Sequence, residues 1–219
     1  MKDDIIDSYA RTPLGRYLDI IALPQPDDDR GADYMVSVIA ILYGMTEEAV
    51  LDLPLPEFRR RAEAAHYLTQ PLPRSDGKRI AKAYRLGDLT LVPVTSAAKM
   101  TAAQYVDFQQ LNSGDPQSLP AMLSCVLVPE GHRYGDGYDF ADVRRAIADL
   151  LTVTEAEAIS AFFLRMYLRS TLNTLTSFRL ALRLLPRRKK TKETRELAEK
   201  VKALTDLLRA GAGWQTWTR

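Results

Sequence analysis

One cysteine and two histidines are the whole stock of thiol and imidazole in this chain of 219 residues. Cys125 alone cannot close a disulfide within the chain. With His66 and His132 far apart in sequence, it cannot supply the ligand set of a structural zinc site either. No P-loop, no dinucleotide fingerprint and no G-x-S-x-G elbow occurs, so nucleophilic catalysis and phosphate-cradle chemistry have no motif to rest on. Neither a catalytic residue nor a cofactor nor a metal is expected, and the chain reads as a non-enzyme. No apolar run has the length of a membrane span. The opening Met1-Lys2-Asp3-Asp4 lacks a basic region followed by an apolar stretch, so no secretory signal is expected. Charge of one sign is not in excess: 30 Lys and Arg face 28 Asp and Glu, for a net charge of +2, which is no overall nucleic-acid signature. Cys125 sits in the apolar run Leu123–Val128, where a buried, inert thiol and a reducing compartment are expected.

What is present is helical punctuation. Hydrophobic residues make up 46% of the chain, enough for a sizeable core. Thr12-Pro13 opens a helix carrying Leu14, Tyr17, Leu18 and Ile21, stopped by Pro24 and Pro26. The segment Tyr34–Tyr43 is nearly all apolar and predicts a buried helix ended by Gly44. Thr46 is a good N-cap, with Glu47 and Glu48 in the first turn that follows. Pro56 opens a helix with Phe58, Ala62, Ala65 and Leu68. After a polar loop at 69–79 the period changes. Ile80, Tyr84 and Leu86 precede Gly87-Asp88, and Leu89, Leu91 and Pro93 follow, which predicts a β-hairpin. Thr101 caps a helix over Ala102–Leu111, which Asn112-Ser113-Gly114-Asp115-Pro116 stops. The apolar run Leu119–Val128 closes on Pro129-Glu130-Gly131, read as a type I turn with Pro second and Gly fourth. Tyr134-Gly135-Asp136-Gly137-Tyr138-Asp139 reads as a tight aromatic-lined loop, and as a plain turn rather than a calcium loop. A helix starts at Asp139 or Phe140 and runs through Leu150.

Thr154 and Glu157 have the spacing of a capping box. From there a long helix is predicted to Leu185, with Phe162 and Phe163 in the core. Leu164, Leu168, Leu172, Leu175, Leu182 and Leu185 lie on one broad face; Arg165, Arg169, Asn173, Thr176 and Arg183 mark another. A helix of this length without internal caps points to a partner or a protruding element. Pro186 ends it and the composition changes. Arg187, Arg188, Lys189, Lys190 and Lys192 form a basic run that fits either phosphate contact or a solvated hinge; no aromatic is interleaved, so only slight nucleic-acid affinity is expected. Leu197, Val201, Leu204 and Leu208 then form a narrow apolar seam, suited to packing on the long helix or to docking another chain. Trp214 and Trp217 either fold back or serve a partner. The predicted fold is therefore mainly α. A helical domain over 1–185 holds one small β-hairpin (about 80–94) and a long helix (about 154–185). Residues 186–219 add a basic linker and a C-terminal amphipathic helix.

Three blocks taken together resemble a known family: AILYGMTEEAVLDLPLPEF at 40–58, AAQYVDFQQL with LPAMLSCVLVPEGHRYGDGYD at 102–139, and VTEAEAISAFFL at 153–164. Their order and spacing are similar to those of tailed-phage and prophage tail assembly chaperones. The resemblance spans about 30–170. It implies a non-enzymatic morphogenesis protein of the host cytoplasm, small and helix-rich, that binds the tape measure protein before the tail tube polymerises. It implies other phage proteins as partners, no membrane, and possible self-association. Leu197, Val201, Leu204, Leu208, Trp214 and Trp217 are the candidate partner-binding residues. The alternative is a structural virion component such as a neck, connector or cargo protein, in which Arg187, Arg188, Lys189, Lys190 and Lys192 could touch packaged DNA.

Overall fold

A computed structural model of the chain describes residues 5–24, 31–111, 114–184, 196 and 199–202, and for 168 and 170–184 the backbone alone. The fold is mainly α with one small antiparallel sheet.

The helices begin and end where local chemistry dictates. α1 (Leu14–Ile21) follows Pro13 and buries Leu14, Leu18 and Ile20. Ile21 lies on the outside, one position off the predicted stripe. α2 (Gly31–Tyr43) is ended by Gly44 at φ +63°. The Gly44 N–H donates to Ile41 O (3.3 Å) and the Met45 N–H to Ala40 O (2.9 Å), the paired closure of a Schellman motif. The Arg16 guanidinium donates to Leu42 O and satisfies another terminal carbonyl. Thr46 Oγ1 accepts the Ala49 N–H at 3.2 Å and caps α3 (Glu47–Leu51). α4 (Leu55–Ala64) runs on into a 3-10 turn over Ala65–Thr69.

The hairpin forms at Gly87-Asp88. β1 (Tyr84–Leu86) pairs with β2 (Leu89–Pro93), Leu86 opposite Leu89. Gly87 has φ +61° and Asp88 has no positive φ, the combination of a type II′ turn. A third strand, β3 (Leu127–Pro129), pairs antiparallel with β2, Leu91 opposite Pro129 and Pro93 opposite Leu127. It continues directly from α6 (Leu119–Val126). The run Leu119–Val128 is thus helix and strand in succession. Pro129 belongs to the strand, which corrects the expected turn. The reversal runs from Pro129 to His132, whose N–H donates to Pro129 O at 3.1 Å. Gly131 holds the third position at φ +81°, so the turn is type II rather than type I. β3 is an edge strand, where the missing N–H of proline is tolerated.

α5 (Ala102–Leu111) starts with a capping box. Gln104 N donates to Thr101 Oγ1 (3.2 Å), and Thr101 N donates to Gln104 Oε1 (2.8 Å). α7 (Phe140–Leu150) is capped by Asp139, whose carboxylate accepts the Ala141 N–H at 2.7 Å. α8 (Val153–Leu184) has 32 residues, a rod of about 48 Å at 1.5 Å per residue. Its capping box is Thr152 with Glu155, not Thr154 with Glu157. Thr152 N donates to Glu155 Oε2 at 3.0 Å, and Glu155 N to Thr152 Oγ1 at 3.4 Å. The register is set from outside the helix. Leu14 N donates to Leu151 O (2.8 Å) and Val153 N to Thr12 O (3.0 Å), a bridge that keeps Thr152 extended.

The main core sits where α1, α6, α7 and the first half of α8 close over the sheet. Leu14, Leu91, Val126, Leu127, Val143, Ile147, Leu151 and Ile159 meet there, with Cys125 and Phe163. Two smaller clusters tie α2 to α1 and to α3, around Leu42 and Ile39.

Candidate functional site

One face of α8 enters the main core. Ala156, Ile159 and Phe163 are buried in the main core, with Phe162 and Met166 half-buried against it. Phe163 thus lies in the core as predicted, while Phe162 borders it. At about 100° per residue, the positions of Leu164, Leu168, Leu172, Leu175 and Leu182 fall on a stripe roughly 140° around the helix from that packed face. The predicted leucine face is therefore not the one that closes the core. The positions of Arg165, Arg169 and Arg183 fall roughly 85° further on, along one flank of the leucine stripe, and that of Arg179 falls within the stripe; Arg165 and Arg169 are exposed.

Three devices hold α8 at this rotation. The Thr152 bridge fixes its start. A strap of loop crosses it next: Ser75 N donates to Glu157 Oε2 at 2.7 Å, and the Arg165 guanidinium reaches Asp76 O at 3.4 Å. Burial raises the Glu157 carboxyl above its ordinary range, opposed by the Ser75 hydrogen bond and by Arg74. Beyond the strap, a hydrogen bond between Tyr105 and Tyr167 joins α5 to α8 and raises the Tyr105 hydroxyl.

The polar clusters elsewhere tie elements of the fold together. Tyr134 Oη donates to Asp107 Oδ2 at 2.7 Å and lies 3.6 Å from Cys125 Sγ. This resembles an oriented nucleophile only at first sight. Cys125 is buried, and burial pushes its thiol up, so it stays protonated. His132 is turned instead to Asp136 O (3.3 Å) and to the Tyr138 ring, at 5.9 Å between centroids. Tyr134, Tyr138 and Phe140 pack ring on ring with centroids 4.8–5.0 Å apart, so the glycine-rich loop is aromatic-lined as predicted. Gln104, 2% exposed, donates to Cys125 O at 3.0 Å and locks α5 onto α6. Arg61 gives its Nε–H to Glu57 at 2.7 Å and stands 4.4 Å over the Tyr43 ring. Sequence reading missed Gln104 and Arg61. The signals were there, Thr101-x-x-Gln104 as a capping box and Glu57 four residues before Arg61. The open depression between α1 and α2 is lined by Arg16, Asp19, Ser37, Gly44 and Glu47. Its one arginine is engaged at the end of α2.

Among the described residues no group of three His, Cys, Asp or Glu could hold a metal ion, and no helix is long and apolar enough to cross a membrane. Of the predicted partner-binding residues only Val201 is described; it is helical and 8% exposed. Leu197, Leu204, Leu208, Trp214 and Trp217 lie outside the described residues, as do Arg187, Arg188, Lys189, Lys190 and Lys192. Large exposed apolar residues occur at the α3–α4 corner, where Leu51 is 69% and Leu55 59% exposed, and on α5 at Tyr105 and Val106.

No family model, curated protein or solved structure matches the chain.

Proposed function

We propose that this chain is a non-enzymatic helper of phage morphogenesis, of the kind that binds the tape measure protein in the host cytoplasm during tail assembly. The observation that carries the reading is the division of α8. Its first half is anchored by a core face, a capping bridge and a loop strap, while its leucine positions follow a different stripe over about 27 Å, Leu164 to Leu182 at 1.5 Å per residue. A helper that covers amphipathic helices of a client needs an apolar stripe on a helix, not a reaction centre. The exposed Leu51 and Leu55 corner gives a second apolar contact of the same kind.

The test is co-expression with a phage tape measure protein. A complex that survives size exclusion, together with absence of this chain from purified mature particles, supports the reading. A chain retained in those particles at fixed stoichiometry identifies a structural virion component instead. Failure to form any complex contradicts both the helper role and the choice of client.

A further inference from the structure

The strap across α8 leads into a basic stretch. Between Arg74 and Arg85 the chain places five cations, Arg74, Lys78, Arg79, Lys82 and Arg85, against one carboxylate, Asp76, although its net charge is only +2. All five cations are exposed. Among the described residues Lys78 is the one of them held in an ion pair, with Asp76 at 3.1 Å. The backbone beneath them is pinned. Gly77 lies against Ala161, and Ile80 packs on the main core. The Ala81 N–H donates to Tyr84 Oη at 3.2 Å, and Tyr84 itself is 5% exposed. The strap also joins this stretch to cations of α8. The Arg165 guanidinium reaches Asp76 O, and Arg169 follows one turn on, about 6 Å along the axis. Both are exposed.

We infer that the strap, β1 and this part of α8 form a surface that binds the phosphate backbone of duplex nucleic acid without reading its sequence. Clustered, exposed and mostly unpaired Lys and Arg on a pinned backbone release counterions from phosphates at little ordering cost. A protein partner suits the surface less well. Protein interfaces are built round aromatic and apolar side chains and are poor in Lys. None of the large exposed apolar side chains among the described residues lies between Arg74 and Arg85 or on α8. The same lack counts against a membrane surface, which takes up inserted apolar side chains. Tyr84, the one aromatic residue of the stretch, is buried, so single-stranded bases find no ring to stack on there. The surface is separate from the basic run at 187–192, and the inference does not depend on the helper reading.

The probe is a fluorescein-labelled duplex DNA of about 20 base pairs, two helical turns. Binding to the full chain is read by fluorescence anisotropy. A Kd on the order of micromolar is expected at about 0.05 M salt, weakening about a hundredfold by about 0.2 M, as about four phosphate contacts require. Arg79→Gln/Lys82→Gln changes two exposed side chains. It should weaken binding about tenfold at the lower salt and reduce the slope of log Kd against log salt by about 2. Arg169→Gln tests the α8 part and should reduce the slope by about 1. Changing Arg187, Arg188, Lys189, Lys190 and Lys192 together to Gln should leave most of the binding in place. Loss of all binding in that variant overturns the inference, as does a full-length chain that fails to bind the duplex at the lower salt. An unchanged slope in Arg79→Gln/Lys82→Gln does so too. Tighter binding of polyglutamate or of phosphatidylglycerol vesicles than of the duplex assigns the surface to an acidic protein or a membrane instead, and likewise overturns it. None of these failures bears on formation of the tape measure complex.

Discussion

Gly77 lies backbone against backbone with Ala161: a Cβ built on Gly77 would stand 2.6 Å from the Ala161 carbonyl oxygen and 3.1 Å from Phe162 N. No side chain fits there, and Gly77 also has φ +61°. This contact lets the strap at Ser75–Lys78 lie flat on α8, where Ser75 finds Glu157 and Asp76 finds Arg165. The first part of α8 thus lies between the core on one side, through Ala156, Ile159 and Phe163, and the strap on the other, through Glu157, Ala161 and Arg165.

Gly77→Ala should therefore cost both a left-handed backbone and a clash, about 2 kcal/mol or more. Gly131→Ala is the control: φ is +81° but nothing lies within 4 Å of its Cβ, so only the backbone cost of about 1 kcal/mol applies. Urea unfolding of both variants separates the two contributions. Equal losses would mean that the strap does not need this contact.

The start of α8 gives a sharper comparison. Thr152→Ala removes a cap from the Glu155 box and should cost about 1 kcal/mol. Thr154 Oγ1 is buried with no hydrogen-bond partner among the described residues, so Thr154→Val should be neutral or stabilising in the same urea assay. The opposite ranking would restore the Thr154–Glu157 register.

Much of this fold was legible because its signals are local. Thr46, Thr101 and Asp139 cap where short polar residues precede apolar periodicity, and Gly87-Asp88 turns the hairpin where the period changes from helical to alternating. What was not legible depends on distant partners. β3 carries no alternation of its own, and Leu127 becomes a strand because β2 lies beside it. Two capping boxes overlap at 152–157, and only the bridge from Thr12 and Leu14 chooses between them. The leucine spacing of α8 marks one broad face but not the core face, which Ala156, Ile159 and Phe163 form. The candidate site was read at Leu197, Val201, Leu204, Leu208, Trp214 and Trp217, of which only Val201 lies among the described residues.

Glu157 makes the strap sensitive to pH. Its folded pKa is raised, mainly by burial, so the folded state binds a proton more readily than the unfolded chain. The stability it contributes is full below the ordinary glutamate pKa and is lost as pH rises through the raised folded value. Glu157→Gln keeps an acceptor for Ser75 and removes the buried charge. Its unfolding free energy should match or exceed wild type at neutral pH, and the weakening between pH 4 and pH 7 should shrink. A larger pH dependence in the variant would contradict this.

Cys125 should resist modification. Its thiol is 2% exposed and burial pushes its pKa up. Ellman's reagent at about pH 8 should label the folded chain far more slowly than the urea-unfolded chain, at least about a hundredfold, because only the exposed thiolate reacts. Rapid labelling of the folded chain would show that α6 opens readily.

The most direct test of the central claim is amide hydrogen–deuterium exchange of the full chain, alone and with the tape measure protein. Added protection should concentrate on residues 164–184, the part of α8 that carries the leucine stripe, with the hairpin and α7 unchanged. Protection confined to other elements, or none on α8 at saturating client, would contradict the assignment of this helix as the docking face.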